Sequence, residues 1–213
     1  MSAVTDHCLV TDQVAVITGA GRGIGAETAV TLAEAGADVV ISARTPEQLD
    51  EVAERDRATG RRCLTVPADL NDLDALPPLV EAAVGEFGRV DIVVNNVGGS
   101  MPRPFLETSE KDFAGAFHFN VTTAFALCKA AVPLMQERGG SIVNISSSIG
   151  QMTGKGFTAY GTAKGAMSHF TKLLAEDLAP KIRVNAIAVG STATSALETV
   201  LTNDAVHKAM VES

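Results

Sequence analysis

The stretch Val14-Ala15-Val16-Ile17-Thr18-Gly19-Ala20-Gly21-Arg22-Gly23-Ile24-Gly25 decides the fold. Its first part is a near-continuous apolar, β-branched run, which reads as a strand buried on both faces of a parallel sheet. The glycines that follow let the backbone turn tightly and approach a pyrophosphate with no side chain between. The amides that open the next helix then supply donors and the positive end of a dipole. The spacing is not GxGxxG, because Ile24 stands where the third glycine belongs. The pattern is TGxxxGxG, carried by Gly19, Gly23 and Gly25. A glycine-rich loop alone says little, but between a first strand and a first helix it points to a dinucleotide.

Working outward, apolar runs of strand length recur at 38–42, 62–66, 90–95, 141–146 and 183–188. Amphipathic stretches of helix length lie between them, at 24–35, 46–59, 73–87, 110–137 and 159–179. Such alternation predicts an α/β fold, a Rossmann-type doubly wound and mostly parallel sheet with helices on both faces. Thr45-Pro46-Glu47-Gln48 reads as a capping box with proline at the first helical position, and Ser109-Glu110-Lys111-Asp112 as a weaker version. Gly36, Gly60 and Gly88 stand where helices close. Pro77-Pro78 predicts a delayed helix start or kink, and Pro133 a bend in a long helix. No linker, repeat or shift in composition divides the chain, so 1–213 is read as one domain carrying both cofactor and substrate sites.

Of the 213 residues 46% are hydrophobic and 20% charged, which suits a packed core and argues against wholesale disorder. The formal net charge of -8 argues against nucleic acid or an anionic membrane as partner, since both need a basic face. The first residues carry Asp6, His7 and Asp12 and hold no apolar stretch, so neither a signal peptide nor an anchor is expected. Cys8, Cys63 and Cys128 are odd in number and far apart, which fits reduced thiols and a cytoplasmic location. The four histidines are scattered without ligand spacing, and no metal is expected.

In dinucleotide folds the end of the second strand meets the adenosine ribose, and an acid there holds the ribose hydroxyls. Here the strand runs into Ala43-Arg44-Thr45, with no acid. Arg44 together with Arg22 of the glycine turn can fork onto a 2′-phosphate, so NADP(H) is favoured over NAD(H), although Arg44 also reads as a solvated loop residue.

Tyr160-Gly161-Thr162-Ala163-Lys164 places a phenol and an amine at i and i+4 on one helix face. Tyr160 is the chain's single tyrosine. Bringing a phenol from about 10 to about 7 takes ~4 kcal/mol of differential stabilisation, which a neighbouring ammonium and a positive nicotinamide could supply. A tyrosine beside a lysine on the surface is the plainer reading. Upstream, the strand 141–146 ends in Ser146, Ser147 and Ser148, at the carboxyl edge where ligands bind in such sheets. A hydroxyl there can donate to a developing alkoxide, with Ser147 favoured over Ser148. Asn120, polar in an apolar helix, reads either as bonded to a backbone carbonyl or as holding water in a proton relay.

Taken together, the glycine turn, Asn95-Asn96-Val97-Gly98, Asn120, Ser147 and Tyr160-xxx-Lys164 resemble the short-chain dehydrogenase/reductase family in order and approximate spacing. The resemblance extends from about Asp12 to the end. It implies an oxidoreductase that interconverts a secondary alcohol and a ketone with NAD(P). Tyr160 would be the acid/base, Lys164 would lower its pKa and hold the nicotinamide ribose, Ser147 would orient the carbonyl, and Asn120 would hold the relay water. The cofactor would be held by Gly19, Arg22, Gly23, Ile24, Gly25, Arg44, Asp69, Leu70, Asn96, Gly98, Tyr160, Lys164 and Thr194, with Asn95 bracing the central strand. Two departures stand out: Val189-Gly190 replaces a Pro-Gly, and Asn-Asn-Val-Gly replaces Asn-Asn-Ala-Gly. Family members also continue past the position of Ser213, so a C-terminal helix and strand are expected to be missing here, leaving 183–188 as an apolar edge strand.

The strings at 95–105 and 192–197 look like those of bacterial hydroxysteroid dehydrogenases, with similar strings in ketone reductases and 3-oxoacyl-thioester reductases. The implied partners are an apolar alcohol or ketone and further copies of the chain, as a homodimer or homotetramer. An apolar stretch with Leu197, Val200 and Leu201 would cover the substrate. A non-catalytic NADP-binding sensor or scaffold is the reading from another class, against which the serine–tyrosine–lysine set speaks.

Overall fold

A computed structural model describes residues 9–192. Thr194 and the stretch with Leu197, Val200 and Leu201, like Cys8, lie outside the described residues.

The strands are β1 (Val14–Thr18), β2 (Asp38–Ala43), β3 (Cys63–Pro67), β4 (Ile92–Asn95), β5 (Gly140–Ser147) and β6 (Ile182–Val189). The helices are α1 (Gly23–Glu34), α2 (Pro46–Ala58), α3 (Leu76–Phe87), α4 (Glu110–Phe117), α5 (Thr123–Met135) and α6 (Thr158–Leu178). All pairings are parallel, in the order β3-β2-β1-β4-β5-β6. The chain therefore reverses direction across the sheet between β1 and β4, and a crevice opens beyond their carboxyl ends.

Period-two alternation in β1 explains the two layers. Val14 and Val16 face a core with Leu76 and Leu79 of α3 and Leu127, Ala131 and Met135 of α5. Ala15 and Ile17 face the opposite core, with Ala26, Ala29 and Ala33 of α1 and Leu49, Val52 and Ala53 of α2. Small alanines on α1 let that helix lie close to the sheet. Each fully buried Leu, Ile or Val contributes about 1.5–3 kcal/mol.

Polar side chains clamp the amino ends of the strands. The carboxylate of buried Asp91 accepts the Val14 amide at 2.8 Å and a forked pair of bonds from Arg89 at 2.7 Å. Asp38 receives Arg62 through its amide and its guanidinium, with Arg61 beside it. Burial pushes the Asp38 carboxyl up, but the Arg62 bonds and the two guanidiniums outweigh it and hold it below the usual range. Cys63 and Cys128 are free and buried, and burial pushes the Cys128 thiol up to about 11.

Several local expectations shift. β4 begins at Ile92, although the Asp91 backbone still bonds the Val14 carbonyl and the Ser141 amide on either side. The delayed start at Pro77-Pro78 is present: a 3-10 turn at Leu73–Ala75 precedes α3, which has proline in its first turn. The single long helix expected over 110–137 is interrupted by a π turn at His118–Thr122, and α5 ends two residues past Pro133. The cap ranking is reversed. Ser109 and Asp112 form a full capping box, whereas Thr45 makes no side-chain capping bond. Among the described residues β6 is an edge of the sheet, with Ile187 54% exposed.

Replacing Asp91 with alanine orphans the buried Val14 amide and the Arg89 fork together. Asp91→Ala is expected to lower unfolding stability by about 2–3 kcal/mol, read as a drop in urea midpoint at unchanged m-value.

Candidate active site

A cleft of about 700 Å³ runs across the carboxyl ends of the strands. One end is lined by Gly21, Arg22, Arg44, Thr45 and Gln48, and the other by Ser147, Ile149, Phe157 and Tyr160.

The glycine turn is stitched to β4 by two side chains. Thr18 Oγ1 donates to the Val94 carbonyl at 3.2 Å and accepts the Asn96 and Val97 amides at 3.0 and 3.2 Å. Asn96 Nδ2 donates to the carbonyls of Thr18 and Gly19, each at 3.0 Å. Asn96 thus shapes the turn through its side chain. A Cβ on Gly25 would strike the Gly19 carbonyl oxygen, so only glycine lets α1 start this close. Arg22, at the N-cap of α1, offers no side-chain cap. The first amides of the helix therefore keep their donors for a phosphate, and the cradle fits a pyrophosphate.

Further along lie Ile24, Ala68, Asp69 and Leu70, all lining the cleft, with Arg22 and Arg44 at the same end. Thr45 and Gln48, free of the expected capping box, line it too, and Gln48 packs where a Cβ on Gly21 would fall. A polar, cationic lining of this kind suits the adenosine end of a dinucleotide.

At the other end α6 carries Tyr160 in its first turn and Lys164 one turn on. Lys164 is 3% exposed, its amine donates to the Ile145 carbonyl at 2.7 Å, and it lies 5.7 Å from the centroid of the Tyr160 ring. Gly98 makes room for it: a Cβ there would lie 2.5 Å from Asn120 Oδ1 and 3.0 Å from Lys164 Nζ. Burial pushes the Lys164 amine down to about 8. The Tyr160 phenol is raised by burial, and the Ser147 hydroxyl draws it partly back. Desolvation dominates, and the amine is bonded to a carbonyl.

Of the three serines, Ser146 is set apart from the other two. Ser146 is buried and its hydroxyl donates to the Lys164 carbonyl at 2.9 Å and meets Ser168 at 2.8 Å. It anchors α6 to β5. Ser147 faces the cleft, with a 3.3 Å bond to the Val189 carbonyl. Ser148 lines the cleft at the start of a 3-10 turn. Asn120 sits in the π turn, fully buried. Its Nδ2 donates to the carbonyls of Ala116 and Gly99 at 2.7 and 3.0 Å, and its Oδ1 accepts the Gly99 amide at 2.9 Å. The plainer reading of Asn120, a bond to backbone, is what its side chain makes.

Behind the site a buried polar chain spans the sheet. Asn95 Nδ2 donates to Asn144 Oδ1 at 2.7 Å and reaches Cys128 Sγ at 3.3 Å, and Asn144 donates to Thr171 at 2.9 Å. Sequence reading missed Thr18 and Asn144, and named Ser146 only as one of three hydroxyls at the strand end. Of the two missed, only Thr18, directly ahead of the glycine turn, carried a visible signal.

Comparison with known proteins agrees with this geometry. The family model for short chain dehydrogenases matches residues 13–205. An uncharacterized oxidoreductase of Mycobacterium tuberculosis (strain CDC 1551 / Oshkosh) is 56% identical over 212 residues, 99% of this chain and 81% of its own length. The 7alpha-hydroxysteroid dehydrogenase of Escherichia coli (strain K12) is 36% identical over 206 residues, 96% of this chain and 80% of its own. A solved 7alpha-hydroxysteroid dehydrogenase, complexed with NADH and 7-oxo glycochenodeoxycholic acid, superposes with a TM-score of 0.91 at 36% identity, covering 98% of this chain and 82% of that one.

The buried amine gives a direct test. In the free chain Lys164 binds fewer protons than the unfolded chain between about 8 and the ordinary value of 10.5, so stability rises with pH across that window. Reductive 13C-methylation is expected to show one lysine titrating near 8, and that signal should vanish in Lys164→Met.

Proposed function

This chain belongs to the short-chain dehydrogenase/reductase family, and from that premise we propose that it interconverts a secondary alcohol and a ketone with Tyr160 as general acid/base. The observation that carries the reading is the meeting of Tyr160, Ser147 and buried Lys164 in one cleft with an open glycine turn. When bound, the nicotinamide supplies the hydride acceptor or donor and, when oxidised, a positive charge beside the phenol.

In ketone reduction, the substrate oxygen lies between the Ser147 hydroxyl and the Tyr160 phenol. Ser147 donates a hydrogen bond to the oxygen as negative charge grows there, and Tyr160 delivers the proton. In alcohol oxidation Tyr160 takes the proton back. Lys164 then stabilises the phenolate, once its amine turns from the Ile145 carbonyl toward the ring oxygen and the ribose. Asn120 fixes Gly99 through its side chain, and in the proposed relay it is the residue that would hold the water.

Arg22 and Arg44, with Thr45 and Gln48 beside them, support NADP(H) as the preferred form. The family as a whole takes either dinucleotide. Pro102, Ile149, Phe157 and Val189 support an apolar substrate, a hydroxysteroid or similar ketone, with a 3-oxoacyl thioester as the alternative. Exposed Phe113, Phe117, Phe125 and Leu173 on α4, α5 and α6 support self-association as a homodimer or homotetramer.

Turnover of a panel of steroid, acyl-thioester and small cyclic ketones with both dinucleotides tests the activity. Tyr160→Phe should lose at least about a thousandfold in kcat while retaining dinucleotide affinity by calorimetry. Equal rates for the two proteins would remove Tyr160 from its role and favour a non-catalytic binder. Calorimetry should also show NADPH bound more tightly than NADH, with Arg44→Asp reversing the order.

A further inference from the structure

Two loops close the substrate end of the cleft. One follows β4 and the other leads into α6, and they are tied where the Arg103 amide donates to the Gly156 carbonyl at 2.9 Å. Gly156 lies against Pro102 and Arg103, where a Cβ would meet the Pro102 side chain at 3.6 Å. Pro102 and Phe157 line the cleft, and the Phe157 ring stands 6.5 Å from that of Tyr160. Arg103 follows Pro102 directly and Lys155 stands two residues before Phe157, one cation on each loop, and both are exposed. Neither contributes to the cleft wall itself.

The outer lip around them is apolar, with Met101 49%, Met152 67% and Phe105 69% exposed. The cations are also weakly neutralised. Arg103 comes no nearer to Asp112 than 3.9 Å, and Asp112 already takes two bonds from Ser109 within its capping box. Lys155 makes no ion pair among the described residues. Arg103 and Lys155 thus place two exposed positive charges on an apolar lip of a chain whose net charge is -8.

We propose that this mouth selects an elongated, apolar ketone whose far end carries an anion, with Arg103 and Lys155 as the residues that read the charge. The assignment rests on the ketone-reductase reading above for the position of the reacting carbon. The apolar lining holds the body of the substrate, the carbonyl reaches Tyr160, and the anionic tail stays in water at the lip. Contacts between exposed charges are individually small and salt-sensitive, so the effect is a modest preference expressed in KM. The anion can be a carboxylate on the substrate itself or a phosphate on a thioester carrier.

Matched pairs of ketones with NADPH separate these sources. One pair is a keto-steroid carboxylic acid and its methyl ester, and the other is a 3-oxoacyl thioester of coenzyme A and of N-acetylcysteamine. The charged member of at least one pair should show kcat/KM about 3- to 10-fold higher, through KM, at low ionic strength. That ratio should fall toward one in 0.5 M salt and in Arg103→Gln/Lys155→Gln, and should be kept by Arg103→Lys. A preference confined to one pair names the source of the anion. Ratios of one for both pairs, with the neutral ketones turned over, overturn the proposal and leave ketone reduction standing. If no ketone is turned over, the same ratios are read as Kd by calorimetry on the NADPH-loaded protein. Preference for the charged members then upholds the anion site while the activity fails, and equal or absent binding overturns the site.

Discussion

A buried amine organises this molecule. Lys164 stands at 3% exposure with one bond, to the Ile145 carbonyl, and an ammonium so placed is unfavourable without further partners. Its surroundings are arranged to admit it. Gly98 has no Cβ to collide with it, Ser146 and Ser168 hold the carbonyl of the same residue, and Asn120 pins the loop that carries Gly98. A lysine in a desolvated cleft, with no counter-charge among the described residues, is the kind of group found where a ligand completes the electrostatics.

The sheet divides its duties between its two ends. At the amino ends, Asp38 and Asp91 with their arginines close the strands and contribute to stability. At the carboxyl ends, Thr18 and Asn96 use side chains to shape the glycine turn, while Ser147 and Tyr160 face the open cleft. Between them the Cys128–Asn95–Asn144–Thr171 chain links β4, β5, α5 and α6 through the core. Buried polar chains of this kind are costly when broken, so they fix the spacing of the elements that carry the site.

Two local features show where sequence pattern and structure part. Thr45 and Gln48 have the residue types of a capping box, yet the helix forms without that bond, and both side chains border the cleft beside Arg44. Ser109 and Asp112, a poorer match by type, close a complete box on the exposed loop between β4 and α4. Capping strength depends on what else competes for the side chain, and that is a tertiary matter. The π turn at 118–122 is likewise unreadable from composition, since Phe119-Asn120-Val121 suits an ordinary helix as well.

The order of strands and helices, the glycine turn and the Tyr160–Lys164 pair could all be read in the chain, because each depends on short-range spacing: period two in a strand, i to i+4 in a helix, glycine where Cβ cannot fit. The anchoring role of Ser146, the backbone bonds of Asn120, the work of Thr18 and Asn96, and the rise of the phenol were decided only in three dimensions. Each of them turns on which group lies opposite, and on how much water is left there, and neither quantity is written along the chain.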